Sequence, residues 1–304
     1  MPTHERPERL LTAARSVLDQ QGVEVELVIV DDASSDTTAE TVSELAADPR
    51  VVALHNDVSL GPSGTRNAGI ARARGDFLAF VDDDDVLLPG AAAALVGALR
   101  DDPDLGVVTP WYEVVHERTG TTADFRGPIG FGAEELHWFN FIGIPFGVVR
   151  RDAFAEDIRF DPSLPVSEDW DVFLRCAMER PIGVVPRRLY GYHQHGGPRV
   201  TAVRDDARAG FAHFLAKHRA TMTPACRAYH EAVIAGQSGG RAAMARSLAT
   251  VGRHAPADAL AAGTVLAAAY TASTVGTRRR DPGLPSRTVY RLLTTPRRRP
   301  TGTR

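Results

Sequence analysis

Four consecutive carboxylates, Asp82-Asp83-Asp84-Asp85, directly follow the apolar run Phe77-Leu78-Ala79-Phe80-Val81. Adjacent carboxylates repel one another, so a folded chain keeps such a run where positive charge offsets it. A divalent cation would serve, because Mg²⁺ and Mn²⁺ take hard oxygen ligands from one or two carboxylates and complete their shell with phosphate and water. Taken alone, the run reads equally well as a solvated acidic turn before the helix that follows Pro89. A second acidic pair, Asp31-Asp32, ends the apolar run Val25–Val30. A third set, Glu168, Asp169 and Asp171, follows Ser167, which sits where an N-cap would, at the start of a segment with helical apolar spacing. The helix dipole favours negative charge there. A carboxylate held beside a pocket could equally act as a general base.

Strands and helices must place these groups. Leu10, Leu11, Ala14, Val17 and Leu18 recur at helical spacing, which predicts a helix over 7–21 closed by Gly22. The β-branched run 25–30 reads as a buried parallel strand. Thr37 and Glu40 have capping-box spacing for a helix ending near Ala47. A strand over 51–54, a helix over 63–74 with Gly75 past its end, and a strand over 76–81 follow. Alternation at this pitch predicts βαβ units and a mostly parallel sheet, which binds ligands at the carboxyl ends of its strands. Both Asp31-Asp32 and Asp82–Asp85 fall at such ends.

Further on, the pattern predicts a helix over 89–100, a strand over 105–112, a turn at Thr119-Gly120, and strands over 144–149 and 184–192. Arg150-Arg151-Asp152 reads as a helix start. His137-Trp138-Phe139-Asn140-Phe141 is the most aromatic patch, either core or the wall of an acceptor pocket. His193 and His195 follow the last strand without a zinc ligand set around them.

Bulk properties exclude several classes. The 304 residues carry a net charge of −3, with 43% hydrophobic and 24% charged residues, so nothing points to nucleic acid. The two cysteines, Cys176 and Cys226, form neither a disulfide framework nor a zinc motif, which suits a reducing compartment. Lys217 is the single lysine, and Arg278–Arg280 and Arg297–Arg299 make the tail basic. Met1–Pro7 is polar and does not read as a signal peptide, and no strongly apolar run reaches 18 residues. Ala259–Gly276 reads as a packed Ala-rich helix. The expectation is a cytoplasmic protein, with membrane contact at most peripheral, at the inner face of the plasma membrane through the C-terminal region.

Over residues 1–200 the chain resembles the family 2 glycosyltransferases of the GT-A fold. The motifs, in order, are Val30-Asp31-Asp32-Ala33-Ser34-Ser35-Asp36, Gly61-Pro62-Ser63-Gly64-Thr65-Arg66-Asn67-Ala68-Gly69, Phe80-Val81-Asp82-Asp83-Asp84-Asp85 and Ser167-Glu168-Asp169-Trp170. The resemblance implies an α/β, Rossmann-like, mostly parallel twisted sheet flanked by helices. Residues 1–100 would form a donor half and 101–200 an acceptor half. A helical C-terminal extension over 201–276 and a disordered basic tail over 277–304 would follow.

It also implies roles. A nucleoside-diphosphate sugar, a UDP-sugar in the favoured form, would lie along the strand ends, with Thr3, Glu5, Asp31 and Asp32 around the nucleobase and Arg66 near the base or pyrophosphate. Asp82 and Asp84 match the DxD acidic positions. Asp82 and Asp83 would face the donor, while Asp84, Asp82, Asp85 and His195 would hold Mn²⁺ or Mg²⁺. Asp169 matches the base that deprotonates an acceptor hydroxyl of a glycan, lipid-linked or small molecule during an inverting displacement, with Glu168 orienting. The chain departs from the family in two places. Glu5 replaces the usual Asn after Pro2, and Met1-Pro2-Thr3 stands where the family has a full apolar first strand. Either the start lies further upstream or most of a strand is missing, which would expose a neighbouring strand edge. The absence of a Gln-x-x-Arg-Trp element favours single addition. A nucleotidyltransferase and a non-catalytic nucleotide-sugar-binding relative are the competing readings. The first lacks its Gly-rich basic loop before Leu10, and the intact Asp82, Asp84 and Asp169 argue against the second.

Overall fold

A computed structural model of the chain describes residues 1–126, 130–138, 140, 146–154, 158–164, 166–196, 204–237 and 249. The chain divides into two compact units, Met1–Gly210 and Phe211–Arg304.

In the first unit, strand β2 (Leu27–Asp31) is buried along its whole length, as its continuous apolar run demands. It pairs in parallel with β1 (Pro2–Thr3) and β3 (Val51–His55). The register aligns Thr3, Asp31 and His55 at the carboxyl ends of the three strands. Although β1 has two residues, β2 is bonded past its ends: Val30 N–H reaches Met1 O at 3.0 Å and Asp32 N–H reaches Thr3 O at 2.9 Å. The expected bare strand edge is therefore covered from Val30 to Asp32.

A second sheet runs β4 (Phe77–Ala79), β9 (Val148–Arg150), β6 (Val107–His116), β10 (Ile182–Gln194) and β5 (Val86–Leu87). Strand β7 (Thr121–Phe125) pairs with β6, and β8 (Gly130–Phe131) with β10. Among the described residues only β6 and β10 run parallel here, and the other pairs are antiparallel. The parallel expectation thus describes the first sheet and the β6–β10 pair. Strands β6 and β7 must be antiparallel because the turn at Thr119-Gly120 joins them directly, with Gly120 at φ 65°. The register of β10 shifts between Val185 and Tyr190, around Pro186, which has no N–H to give the ladder.

Helices α1 (Pro7–Leu18), α2 (Thr38–Leu45), α3 (Gly61–Arg72), α4 (Ala91–Asp101), α5 (Ala133–Trp138) and α6 (Glu168–Glu179) belong to this unit. Leu10, Ala14, Val17 and Leu18 of α1 and Leu95 and Leu99 of α4 enter one core with Ile29, Tyr112 and Tyr190. Three local expectations change. Thr37 makes no side-chain cap; instead Thr38 N–H donates to Asp36 Oδ1 at 2.9 Å, so the aspartate does the work. Strand β4 stops at Ala79, and Phe80 and Val81 are buried without a ladder. Arg150-Arg151-Asp152 opens only a 3₁₀ turn, Arg151–Ala153.

In the second unit, Phe214 and Leu215 on the end of α7 (Arg204–His218), Met222 in the connection, and Cys226, Tyr229 and His230 on α8 (Pro224–Gln237) are buried. No helix among the described residues is long and apolar enough to cross a membrane. Ala259–Gly276, the basic tail, Phe139 and Phe141 lie outside the described residues.

Candidate active site

The four aspartates leave β4 and meet different partners. Asp82 Oδ1 accepts from Arg66 Nη2 at 2.7 Å. Asp83, which is buried, accepts from Thr3 Oγ1 at 2.8 Å and from Arg6 Nη1 at 2.9 Å. Asp84 Oδ2 meets Arg6 Nη1 at 3.0 Å and His195 Nε2 at 2.8 Å. Asp85 is fully enclosed, and its two oxygens accept from Tyr190 OH and from His193 N–H. Burial pushes the Asp83 carboxyl up to about 6 against the pull of Arg6. Burial, followed by the charges of Asp84 and Asp82, raises Asp85 well above the carboxylate range. The positive charge that the run requires is thus supplied from within the chain by Arg6 and Arg66.

Arg66 is the hub of the site. Residues Ser63, Thr65, Arg66 and Ile70 form the buried side of α3, which presents the guanidinium between two carboxylates. Nη1 donates to Glu168 Oε1 at 2.9 Å while Nη2 holds Asp82. The guanidinium also lies over the Phe160 ring, 5.2 Å from its centroid. Burial opposes its charge, but Asp82 and Glu168 hold its pKa above the ordinary value. Its Nε is buried without a hydrogen bond among the described residues.

Glu168 and Asp169 occupy the first turn of α6, after Ser167 at φ 68°. Ser167 makes no side-chain cap, contrary to its expected role, because left-handed backbone turns the chain into the helix. Asp169 Oδ1 accepts Trp170 N–H at 2.7 Å, and Oδ2 accepts Asn140 Nδ2 at 3.3 Å. Trp170 anchors this turn by donating Nε1–H to Leu136 O of α5 at 2.6 Å. Burial raises the carboxyls of both Glu168 and Asp169, and the Asp169 charge adds to the effect on Glu168. Asp171 faces away, buried and paired with Arg175 at 3.1 Å.

The residues expected around a nucleobase divide. Asp31 is buried between Ser34, whose N–H donates to Oδ1 at 3.2 Å, and His55, whose Nδ1 lies 3.1 Å from Oδ2. Asp32 is spent on the entry to α3. Its oxygens accept Leu60 N–H at 2.8 Å, Gly61 N–H at 3.0 Å, Asn56 Nδ2 at 2.8 Å and Ser59 Oγ at 2.7 Å. Burial opposes ionisation there, yet these donors lower the Asp32 pKa. Glu5 is exposed at φ 51° and accepts from Ser35 Oγ at 2.7 Å. The hydroxyl of Thr3 is bonded to Asp83.

The acidic run suits a hard divalent cation. One oxygen each of Asp82, Asp84 and Asp85 lies within 4.8 Å of the others. Asp82 Oδ2 and Asp84 Oδ1 accept no hydrogen bond among the described residues, which leaves two carboxylate oxygens open. Asp85 is already doubly bonded, so Asp82 and Asp84 are the stronger ligand pair. His195 stands on Asp84, close to the expected metal position. Sequence reasoning missed Arg6 and Tyr190. Their partners lie 77 and 105 positions away, and no local pattern marks such pairs. Asn140, from the aromatic patch, reaches Asp169.

The profile of glycosyl transferase family 2 matches residues 1–157 of the 304. The succinoglycan biosynthesis protein ExoO of Rhizobium meliloti (strain 1021) is 30% identical over 223 residues, covering 65% of this chain and 60% of its own length. The chain therefore spans less than two thirds of that relative. Crystallised TarS residues 1–349 of S. aureus, in complex with UDP-GlcNAc, superpose with a TM-score of 0.58 at 17% identity, covering 93% of each chain. The mannosyltransferase PcManGT of Pyrobaculum calidifontis, in complex with GDP-Man and Mn²⁺, gives a TM-score of 0.58 at 18% identity, covering 96% of this chain and 83% of its own. The fold is the GT-A arrangement of helices around a central sheet. With more than half its length matched by the family profile, the chain belongs to glycosyl transferase family 2.

Proposed function

We propose that the chain transfers one sugar from a nucleoside-diphosphate sugar to an acceptor hydroxyl, with inversion at the anomeric carbon and with a divalent cation bound. The observation that carries this reading is the bridge from Asp82 through Arg66 to Glu168. It joins the acidic run to the carboxylate pair on α6, so one site holds both diphosphate-handling and proton-accepting groups. Two structural neighbours were solved in complex with UDP-GlcNAc and with GDP-Man and Mn²⁺, which supports the donor class.

Asp169 is the base. The acceptor oxygen attacks the anomeric carbon, its proton passes to Asp169, and the bond from that carbon to the diphosphate oxygen breaks. A single displacement inverts the configuration. Asn140 and Trp170 N–H fix the Asp169 carboxylate, and Glu168 is held by Arg66 so that it cannot turn away. Asp82 and Asp84 would hold Mn²⁺ or Mg²⁺, which when bound offsets the charge developing on the departing nucleoside diphosphate. Asp31 and His55 line the nucleobase end, and the acceptor approaches from the α5–α6 side near Asn140. A UDP-sugar is the first donor to test.

The test is a screen of nucleotide sugars against the full chain with Mn²⁺, with the released sugar and nucleoside diphosphate read by mass spectrometry. Turnover of one donor above the rest is expected. No turnover of any donor, with or without candidate acceptors, would contradict the reading.

A further inference from the structure

Arg6 sits at the N-cap of α1 with its backbone fixed. Its N–H donates to Thr38 Oγ1 at 3.1 Å, and its carbonyl accepts Leu10 N–H at 3.0 Å. The side chain reaches the acidic run, where one nitrogen, Nη1, serves Asp83 and Asp84 together at 2.9 and 3.0 Å. The Arg6 side chain keeps 26% of its surface exposed, while the Asp83 and Asp84 side chains keep 5% and 14%.

A guanidinium has only donors, so it cannot join a metal's coordination shell. A divalent cation on Asp84 would stand beside a like charge and compete with it for the same carboxylate. A nucleoside diphosphate changes that balance, because its oxygens offer the planar fork a bidentate partner. We propose that Arg6 is a displaceable internal counter-cation. It holds Asp83 and Asp84 when no divalent cation is bound, weakens binding of the bare cation, and passes to the donor diphosphate when cation and nucleotide bind together. Metal loading is thereby conditional on the donor. The inference rests on the metal and donor site proposed above and adds a specific function for one residue outside its expected set.

Isothermal titration of the full chain tests it, with Mn²⁺ added alone and then in the presence of UDP or GDP. In wild type, Mn²⁺ and the nucleoside diphosphate should each strengthen the other's binding at least tenfold. Arg6→Met should bind Mn²⁺ alone at least tenfold more tightly than wild type and lose most of that mutual strengthening. Arg6→Lys should stay near wild type. Equal or weaker binding of Mn²⁺ alone by a folded Arg6→Met chain would overturn the proposal. Absence of mutual strengthening in wild type would overturn it without any variant. Wild type that binds neither UDP nor GDP under either condition would instead remove the donor site itself.

Discussion

Asp82, Asp83, Asp84 and Asp85 are neighbours in sequence and yet meet different chemistry. Asp82 and Asp84 each keep an oxygen unbonded among the described residues, whereas Asp83 and Asp85 are buried against Thr3, Arg6, Tyr190 and a backbone N–H. Tyr190→Phe separates the structural share of the run from the rest. The ring still stacks on Phe146 at a centroid distance of 4.5 Å, so packing is kept while a buried Asp85 oxygen loses its donor. Chemical denaturation should show a loss of about 1–3 kcal/mol. Asp169→Asn should lower transfer by about 10²- to 10⁴-fold, the usual worth of a positioned base, while calorimetric donor binding stays within twofold. Equal loss of both would move the base elsewhere. Because burial raises the Asp169 carboxyl, wild-type kcat should fall with decreasing pH at values above the ordinary aspartate range near 3.9. The base must be ionised to act, so activity appears as pH rises through that limb.

Short elements set the geometry, and the sequence marks some of them better than others. The buried run ending at Asp31 and the apolar stripe of α1 were legible because burial imposes period and composition. The ends were harder. Asp32 looks like a ligand from its strand-end position, but the turn into α3 takes both its oxygens. Ser167 looks like a cap, but its positive φ removes it from that work. Antiparallel pairing in the second sheet is set by hairpins and by contacts between distant strands, which alternation of helix and strand does not encode. One such distant contact ties α1 to the end of β6. Arg9 grips Glu117 with two bonds of 2.8 and 2.7 Å, and His193 Nδ1 lies 3.2 Å from the same carboxylate. The Arg9 bonds, with burial opposing, lower the Glu117 pKa to about 2 from an ordinary 4.5. A depressed carboxyl stabilises the fold above its unfolded value, and that contribution disappears as pH falls from about 4.5 toward 2. Glu117→Gln should therefore cost no more than about 1 kcal/mol at pH 7, given the exposure of the pair, and nothing near pH 2. Urea denaturation at both values checks it.

At the scale of the molecule, the carboxyl ends of the parallel sheet and of strand β4 bring the site together. Asp31 comes from the parallel sheet and Asp82–Asp85 from the end of β4, while α6 contributes Glu168 and Asp169 after a long stretch of chain. Arg66 on α3 then links the two acidic sets. The four motifs announced these groups in order, but their mutual contact depends on residues more than a hundred positions apart, as in the Arg66–Glu168 pair at 2.9 Å. The central claim is that the acidic run is a cation-dependent diphosphate site. Its most direct measurement is calorimetric titration of a panel of nucleoside diphosphates into wild type and Asp84→Ala, each with and without Mn²⁺. Wild type should bind one nucleotide at least tenfold more tightly with Mn²⁺, and Asp84→Ala should lose that gain. Binding that ignores Mn²⁺ in wild type, or an undiminished gain in Asp84→Ala, would contradict it.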